Sequence, residues 1–226
     1  MSSLFVDVWH GDILLKQSEE GYYWSLLNES EKQKADTFAR SELQKKYVKT
    51  RGVLREILAS YLDIEPKCID IKTGDYGKPY LANNLVNFNL SHTGNKFVLA
   101  VGNVGEMGID LEQARDRMNM SGLVKKCFSD EESVYWHSLP EIQKTDMFFR
   151  FWVRKEAFVK AVGRGIALGL EHCNVDMESQ ACFLNIPEAY GLASDWKIWD
   201  IQLKQEDVCA LVTKNLKFDY KQTELK

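Results

Sequence analysis

The ten residues Phe151–Lys160 read FWVRKEAFVK, and they are the most informative stretch of the 226-residue chain. On a helix, residues four apart are neighbours, so Trp152, Glu156 and Lys160 lie on one stripe with Lys155 beside it. An acidic side chain flanked by two lysines and an aromatic ring can grip a metal-bound polyphosphate. The same pattern is typical of a solvated helix face with Glu–Lys pairs, and the stretch alone does not separate these two interpretations.

A second acidic element, GIDLE at Gly108–Glu112, reads as the end of a strand. Side chains alternate along a strand, so Asp110 and Glu112 point the same way. Magnesium is typically held by one or two carboxylates together with substrate phosphates, and this pair suits it. Glu156 supplies a third oxygen ligand from the helix. An exposed Asp-x-Glu edge without a metal would give the same pattern.

The third element, NLSHTG at Asn89–Gly94, follows an alternating strand and ends in a turn. Ser91 and His92 offer a hydroxyl and an imidazole at the strand end, where a phosphate could bind both. A Ser-His pair is also common as a simple turn cap. The chain has no GxSxG elbow, so a serine hydrolase is unsupported.

The fourth element is YGKPY at Tyr76–Tyr80. Gly77 and Pro79 fix a tight turn that presents Lys78 and an aromatic ring. Such a turn is a credible seat for a purine, although by itself it is only a turn.

Composition excludes several function classes. The chain is 45% hydrophobic and 27% charged, and its net charge of −4 gives no reason to expect a nucleic-acid partner. No basic region precedes a long apolar run, and Phe97–Val101 is too short to cross a bilayer, so we expect neither a signal peptide nor membrane insertion. Five scattered cysteines without a CxxC pair argue against zinc and for reduced thiols in a cytoplasmic protein.

Hydrophobic periodicity predicts an α+β fold with two similar halves, 1–106 and 107–226, packed as one body. The first half opens with a strand at Leu4–Trp9 and holds a long helix at Ser41–Leu62. The second holds a helix at Thr145–Val162, which the glycines of Gly163-Arg164-Gly165 end. The other expected strands are Ile69–Ile71, Val86–Leu90, Lys96–Val101, Gly108–Glu112, Ala181–Ile186, Trp196–Leu203 and Val208–Thr213.

Three local features complete this prediction. Capping boxes are expected at Ser30 and Ser129, each followed three residues later by Gln or Glu. The polar tail Lys214–Lys226 is expected to fray.

Taken in order, the four elements resemble the Sfp-type 4′-phosphopantetheinyl transferases. That family shows Gly-Lys-Pro, Asn-x-Ser-His, Gly-x-Asp-x-Glu and Trp-x-x-Lys-Glu-(Ala/Ser)-x-x-Lys, and the resemblance covers about Ser30–Gly165. Thr93 stands where many members have Ser, and Met107 where Val or Ile is usual. The short holo-acyl-carrier-protein synthases also share the motif at Lys155–Ala161. They are half this size and build their site between subunits, so the Sfp type is the better match.

The resemblance implies a pseudo-twofold α+β monomer with its site in the cleft between the halves. It implies transfer of the 4′-phosphopantetheine arm of coenzyme A to a serine of an acyl or peptidyl carrier protein, with magnesium. Adenosine 3′,5′-bisphosphate is the other product. Two alternatives remain: a carrier-protein-binding module without turnover, and a magnesium-dependent hydrolase of coenzyme A or another nucleotide.

The resemblance also implies residue roles. Magnesium is expected on Asp110, Glu112 and Glu156. Glu156 is our choice of general base, with Glu112 competing, and Lys160 with support from Lys155 is expected to stabilise charge on the phosphates of coenzyme A. The other implied coenzyme A contacts are Ser91 and His92 at the phosphates, Lys78 and Pro79 at the adenine, and Arg51 at the 3′-phosphate.

The carrier must dock near this site. Because the chain is itself net negative, recognition of acidic carriers cannot rest on global charge. We expect a local surface at Met118–Phe128, with apolar contacts and help from Lys125 and Lys126. Burial of these apolar residues in the core is the competing interpretation.

Overall fold

The computed structural model describes residues 3–82, 85–114, 119–178, 180–204 and 207–225, apart from the side chains of residues 166 and 167. The fold is α+β, as predicted. The helices are α1 Glu20–Leu26, α2 Glu29–Asp36, α3 Ser41–Leu62, α4 Met120–Cys127, α5 Asp130–Ser138 and α6 Glu141–Val162. The strands are β1 Phe5–Asp12, β2 Ile71–Thr73, β3 Pro79–Leu81, β4 Asn87–Thr93, β5 Lys96–Gly102, β6 Met107–Gln113, β7 Asn174–Val175, β8 Phe183–Asn185, β9 Trp196–Gln202, β10 Asp207–Lys214 and β11 Asp219–Glu224.

Two sheets organise the chain. The first has the strand order β11-β1-β5-β4 and the second β6-β10-β9. Neighbours are antiparallel in both sheets except β1 and β11, which are parallel. β4 and β6 are therefore edge strands of different sheets. Two short hairpins, β2–β3 and β7–β8, complete the sheet structure of the described residues.

The prediction that the tail frays is wrong. Asp219–Glu224 forms β11, and Leu225 extends the contact by donating its backbone N–H to the carbonyl of His10. The strand is almost wholly exposed and polar, so it lacks the apolar face that reveals a strand in sequence. Its backbone pairing with β1 covers what would otherwise be an open sheet edge.

The predicted helix ends are confirmed more fully than the predicted starts. α3 has the predicted bounds, and α6 ends as predicted at Val162, before Gly163, which has a φ of 71°. α6 begins at Glu141, however, four residues before the predicted Thr145. The capping box at Ser129 is confirmed. The one predicted at Ser30 is wrong, because the side chain of Asn28 accepts from the backbone N–H of Glu31 and begins α2 earlier.

The long helix α6 lies at the centre of the larger core cluster. Its phenylalanines at positions 148, 149, 151 and 158 are fully buried in this cluster. The rings of Phe148 and Phe151 contact Phe128 at the end of α4, and the ring of Phe158 contacts Trp196 of β9. α3 packs in the same way on the first sheet. Within the described ranges, neither of these nor any other helix is long and apolar enough to cross a membrane.

Candidate active site

Side chains rather than backbone hydrogen bonds join β4 to β6. Alternate residues of β4 point toward β6, because side chains of a strand alternate between faces. Each meets a polar group of β6, and so the two sheets are held at a seam. The three bonds are Ile109 N–H to Asn89 Oδ1 at 2.8 Å, Ser91 Oγ to Asp110 Oδ1 at 2.9 Å, and Thr93 Oγ1 to Glu112 Oε2 at 3.1 Å.

The glycine that begins the acidic motif lets α6 lie directly on β6. A Cβ at Gly108 would overlap the backbone carbonyl of Ala157 and the backbone nitrogen of Ala161. The close approach brings one turn of the helix over the carboxylates of β6. A packing requirement therefore explains why Gly precedes the Asp-x-Glu pair.

Lys160 connects the helix to both strands of the seam. Its ammonium donates to Asp110 Oδ1 at 2.6 Å, to Ser91 Oγ at 2.8 Å and to the carbonyl of Ile109 at 3.3 Å. The side chain is 27% exposed, so it keeps contact with solvent. A cation, a hydroxyl and a carboxylate from three separate elements thus meet at one point.

Glu156 lies one turn before Lys160 and carries an unusual proton affinity. Burial raises the pKa of its carboxyl most, the negative charges of Asp110 and Glu112 add to the rise, and Lys160 opposes it; the resulting pKa is about 7. A carboxyl with such a pKa exchanges protons near neutral pH. These electrostatic contacts place all three predicted acidic residues in one neighbourhood.

The chemistry of these acids fits a divalent cation. Oδ2 of Asp110 is buried and has no hydrogen-bond partner in the part of the chain that the structure describes. This oxygen of Asp110, together with the nearby carboxylates of Glu112 and Glu156, offers the hard oxygen donors that magnesium prefers. In the conformation described, however, these side chains do not converge into a closed cluster of three or more metal-binding groups, and the other described residues form none either.

A cavity of about 180 Å³ lies beside Lys160 and is lined in part by it. Its walls come from the turn before β3, from β4 and from the end of α6. Lys78 spans it by donating to the carbonyls of Met107 and Ala161, at 3.1 and 2.8 Å. Burial lowers the pKa of Lys78 to about 8. A larger cavity of about 500 Å³ between α1 and α3 contains none of the predicted site residues.

Comparison with known proteins identifies the family. Residues 106–213 match the model described as the 4′-phosphopantetheinyl transferase superfamily, and residues 16–104 match a 4′-phosphopantetheinyl transferase N-terminal model. The 4′-phosphopantetheinyl transferase AcpT of Escherichia coli K12 is 32% identical over 158 residues, which are 64% of this chain and 78% of AcpT. The chain belongs to the 4′-phosphopantetheinyl transferase superfamily.

Two further transferases show the range of the similarity. HetI of Nostoc sp. is 38% identical over 145 residues, 62% of this chain and 61% of HetI, so that match spans less than two thirds of the relative. Sfp of Bacillus subtilis is 24% identical over 179 residues, 78% of this chain and 79% of Sfp. The family resemblance is confirmed, whereas the narrower Sfp type stays a prediction.

The charged groups of two predicted site residues, Lys155 and Arg51, are bound to partners other than Lys160 and the three acidic residues of the site. The three N–H donors of Lys155 are taken by Glu132 and by the carbonyls of Cys127 and Leu170, and its side chain is 0% exposed. An ammonium has only three donors, so in this arrangement none is left for a phosphate. Arg51 is bound to the carboxylate of Glu31.

Sequence reasoning did not select Lys46, whose charge acts on His92. His92 has a lowered pKa because its ring is partly buried and because Lys46 and Lys160 place positive charge near it. Lys46 comes from α3, one turn before Thr50, whose hydroxyl donates to the Lys46 carbonyl. The run of two lysines at positions 45 and 46 was the available signal, but it does not say which lysine turns toward β4.

Proposed function

We propose that this chain is a 4′-phosphopantetheinyl transferase of the Sfp type. It would move the phosphopantetheine arm of coenzyme A to a serine hydroxyl of an acyl or peptidyl carrier protein. The observation that carries the proposal is the meeting of Lys160, Ser91 and Asp110 beside a cavity lined by residues from both proposed halves of the chain. Such a site can bind an anion and a metal next to a seat for a ring.

In the proposed reaction, the carrier serine oxygen forms a bond to the phosphorus that bears the pantetheine arm. The pyrophosphate P–O bond breaks, and adenosine 3′,5′-bisphosphate leaves. Magnesium would be held by Asp110, Glu112 and Glu156, and when bound it would polarise the pyrophosphate.

The protein's own groups divide the remaining work. Glu156, whose pKa is raised by its burial, is the proposed acceptor of the serine proton. Glu112 remains the competing base. Lys160 stabilises negative charge on the departing phosphate, provided that it exchanges one of its present acceptors for a phosphate oxygen.

The coenzyme A contacts are proposed from the same geometry. The cavity wall formed by Lys78 and Pro79 would seat the adenine, and Ser91 and His92 would bind phosphates. Lys46 replaces Arg51 as the proposed 3′-phosphate contact, because its charge acts on His92 while the guanidinium of Arg51 is bound to Glu31.

We propose that Lys155 positions helix α6 and does not bind phosphate. Its ion pair with Glu132 ties α6 to the start of α5, and Glu132 also accepts from the backbone N–H of Val175. Glu156 follows directly in the chain. The ion pair thus fixes the turn of helix that carries the proposed base.

We further propose that residues 1–106 and 107–226 are the two halves of a pseudo-twofold, with the site in the cleft between them. The 22-residue helices α3 and α6 support this view. β11 departs from it, because it returns from the second half to pair with β1. A monomer suffices, since one chain supplies every proposed site residue. The five free thiols support a cytoplasmic location.

The proposed carrier-docking surface narrows to the outer face of α4. Val124 and Phe128 are buried in the core, as the competing interpretation held, and Met118 lies outside the described residues. A shallow groove remains, lined by Asn119, Gly122, Leu123 and Lys126. Its mixed apolar and basic character suits a carrier helix that is locally acidic.

Mass spectrometry of an apo carrier protein incubated with coenzyme A, magnesium and the purified chain tests the function. Addition of one phosphopantetheine to the carrier serine is expected, and Asp110→Ala should abolish it. Asp70→Ala, which changes an exposed aspartate paired with Lys72, is the matched control. Coenzyme A cleavage with an unmodified carrier would instead indicate a hydrolase. Carrier binding without either product would indicate a binding module.

A further inference from the structure

The segment Gly163-Arg164-Gly165 does more than end α6. Both glycines have positive φ, 71° and 62°, in the left-handed region that other residues rarely adopt. A Cβ at Gly163 would lie 3.3 Å from Cδ of Lys78, and one at Gly165 would lie 3.9 Å from the carbonyl of Tyr76. The two glycines therefore seat this turn directly against the turn before β3.

Between the glycines, the side chain of Arg164 reaches across to Tyr76. Its guanidinium carbon lies 5.1 Å from the centre of the Tyr76 ring, and Nη1 donates to the Tyr76 hydroxyl at 2.7 Å. Tyr76 is 51% exposed, and Arg164 is exposed as well. The contact is therefore made at the surface and not in the core.

The contact between Tyr76 and Arg164 lies beside the proposed ligand cavity. Tyr76, Gly163 and Gly165 all line the 180 Å³ cavity, and Lys78 fixes its inner wall. The Tyr76–Arg164 pair joins the two turns on the solvent side of the same cavity. Exposed cation–aromatic contacts are weak enough to open and close readily.

We propose that Tyr76 and Arg164 form a clasp over this cavity that retains the nucleotide end of coenzyme A. The inference rests on the proposed function, and it makes both side chains positioning residues. The clasp acts on the ring-bearing part of the ligand and not on the transferred arm. It should therefore affect the affinities of coenzyme A and adenosine 3′,5′-bisphosphate equally, and leave carrier recognition alone.

Calorimetry with coenzyme A and with adenosine 3′,5′-bisphosphate tests the clasp. Arg164→Ala should raise both dissociation constants by about two- to fivefold, the range expected for loss of an exposed cation–aromatic contact. The KM for the carrier should not change. Arg164→Lys, which keeps the cation over the ring, should recover part of the loss, and Tyr76→Phe should show the contribution of the hydroxyl.

A matched control is Lys197→Ala, because Lys197 makes an exposed cation–aromatic contact with Trp199 on β9. It should leave every constant unchanged. A wild-type protein that binds coenzyme A, together with an Arg164→Ala protein of equal affinity, would overturn the clasp alone. A wild-type protein that binds no coenzyme A would overturn the proposed function and the clasp with it. An equal loss for Lys197→Ala would also overturn it, since the effect would then not be local.

Discussion

The ammonium of Lys160 lies 2.6 Å from Oδ1 of Asp110, which joins the end of α6 to the middle of β6. The same ammonium reaches Ser91 on β4, so one side chain connects two sheets. Neither partner belongs to the apolar core. Loss of this lysine should therefore be felt in chemistry before it is felt in folding.

Lys160→Ala is expected to lower turnover by about a hundredfold or more, because one charge-stabilising contact to the departing phosphate is lost. Steady-state transfer measured with the melting temperature checks this. Lys72→Ala removes an exposed lysine remote from the seam and is the control. Unchanged turnover in folded Lys160→Ala would return this lysine to a purely structural role.

Lys155→Met is expected to have the opposite profile. Removal of one partner of a buried ion pair leaves the Glu132 carboxylate uncompensated, which costs about 3–5 kcal/mol of unfolding free energy. Urea denaturation measures the loss, and Lys155→Met/Glu132→Gln should recover part of it. A single variant with the urea midpoint of wild type would show instead that the ion pair with Glu132 does not stabilise the fold.

The raised pKa of Glu156 predicts that the stability of the fold depends on pH. The folded pKa of this carboxyl, about 7, lies above the ordinary 4.5, so between these values the folded state holds a proton that the unfolded state has released. Stability therefore falls as pH rises through this window, by about 3 kcal/mol for a change in pKa from 4.5 to about 7. Glu156→Gln should remove this fall.

Urea midpoints at pH 5 and pH 8, measured with a chelator present, check this prediction for Glu156. The Glu156→Gln protein should gain stability over wild type at pH 8 and not at pH 5. The exposed Glu65→Gln is the control. Parallel pH profiles for wild type and Glu156→Gln would contradict the raised pKa.

Gly108→Ala tests the close approach of α6 to β6. The added methyl would meet helix backbone, which cannot rotate away, so α6 must shift. We expect a loss of stability of about 1–3 kcal/mol, together with lost transfer in the folded fraction. At Gly105 a Cβ meets nothing within 4 Å, so Gly105→Ala should be silent. Equal behaviour of the two variants would refute the packing argument.

Leu123→Glu tests the carrier-docking face. A charge in the apolar part of the α4 groove should raise the KM for the carrier several-fold, and leave coenzyme A affinity unchanged. Val134→Glu changes a 72% exposed apolar residue on the neighbouring helix α5 and is the control. If the carrier KM of folded Leu123→Glu equals that of wild type, the carrier docks elsewhere.

Local signals were enough to predict much of the fold. The apolar stripe of α3 and the glycine after α6 predicted those helix ends, because both depend on neighbours in sequence. The seam residues Ser91 and Asp110 were identified by motif, but their 2.9 Å contact joins two sheets and no local pattern predicts it.

The site prediction was weakest where direction around a helix decided the outcome. Lys155 and Lys160 are five residues apart, so they face about 140° apart on α6. One turns to the seam, and the other turns to Glu132 in the core. Both lysines fit the motif equally well, and only the packing of α5 separates them. Arg51 is a similar case, since its partner Glu31 comes from another helix.

The parallel pairing of β11 with β1 also bears on how the chain folds. β1 pairs with β5 on one side, and it gains its second neighbour only after β11 has been synthesised. Contacts of such long sequence separation slow folding, because the entropy of closing the loop is lost before the pairing is gained. During synthesis, the outer edge of β1 stays open as a template for pairing with another chain. Chaperone dependence and aggregation of the nascent protein should therefore depend on how soon β11 pairs with β1.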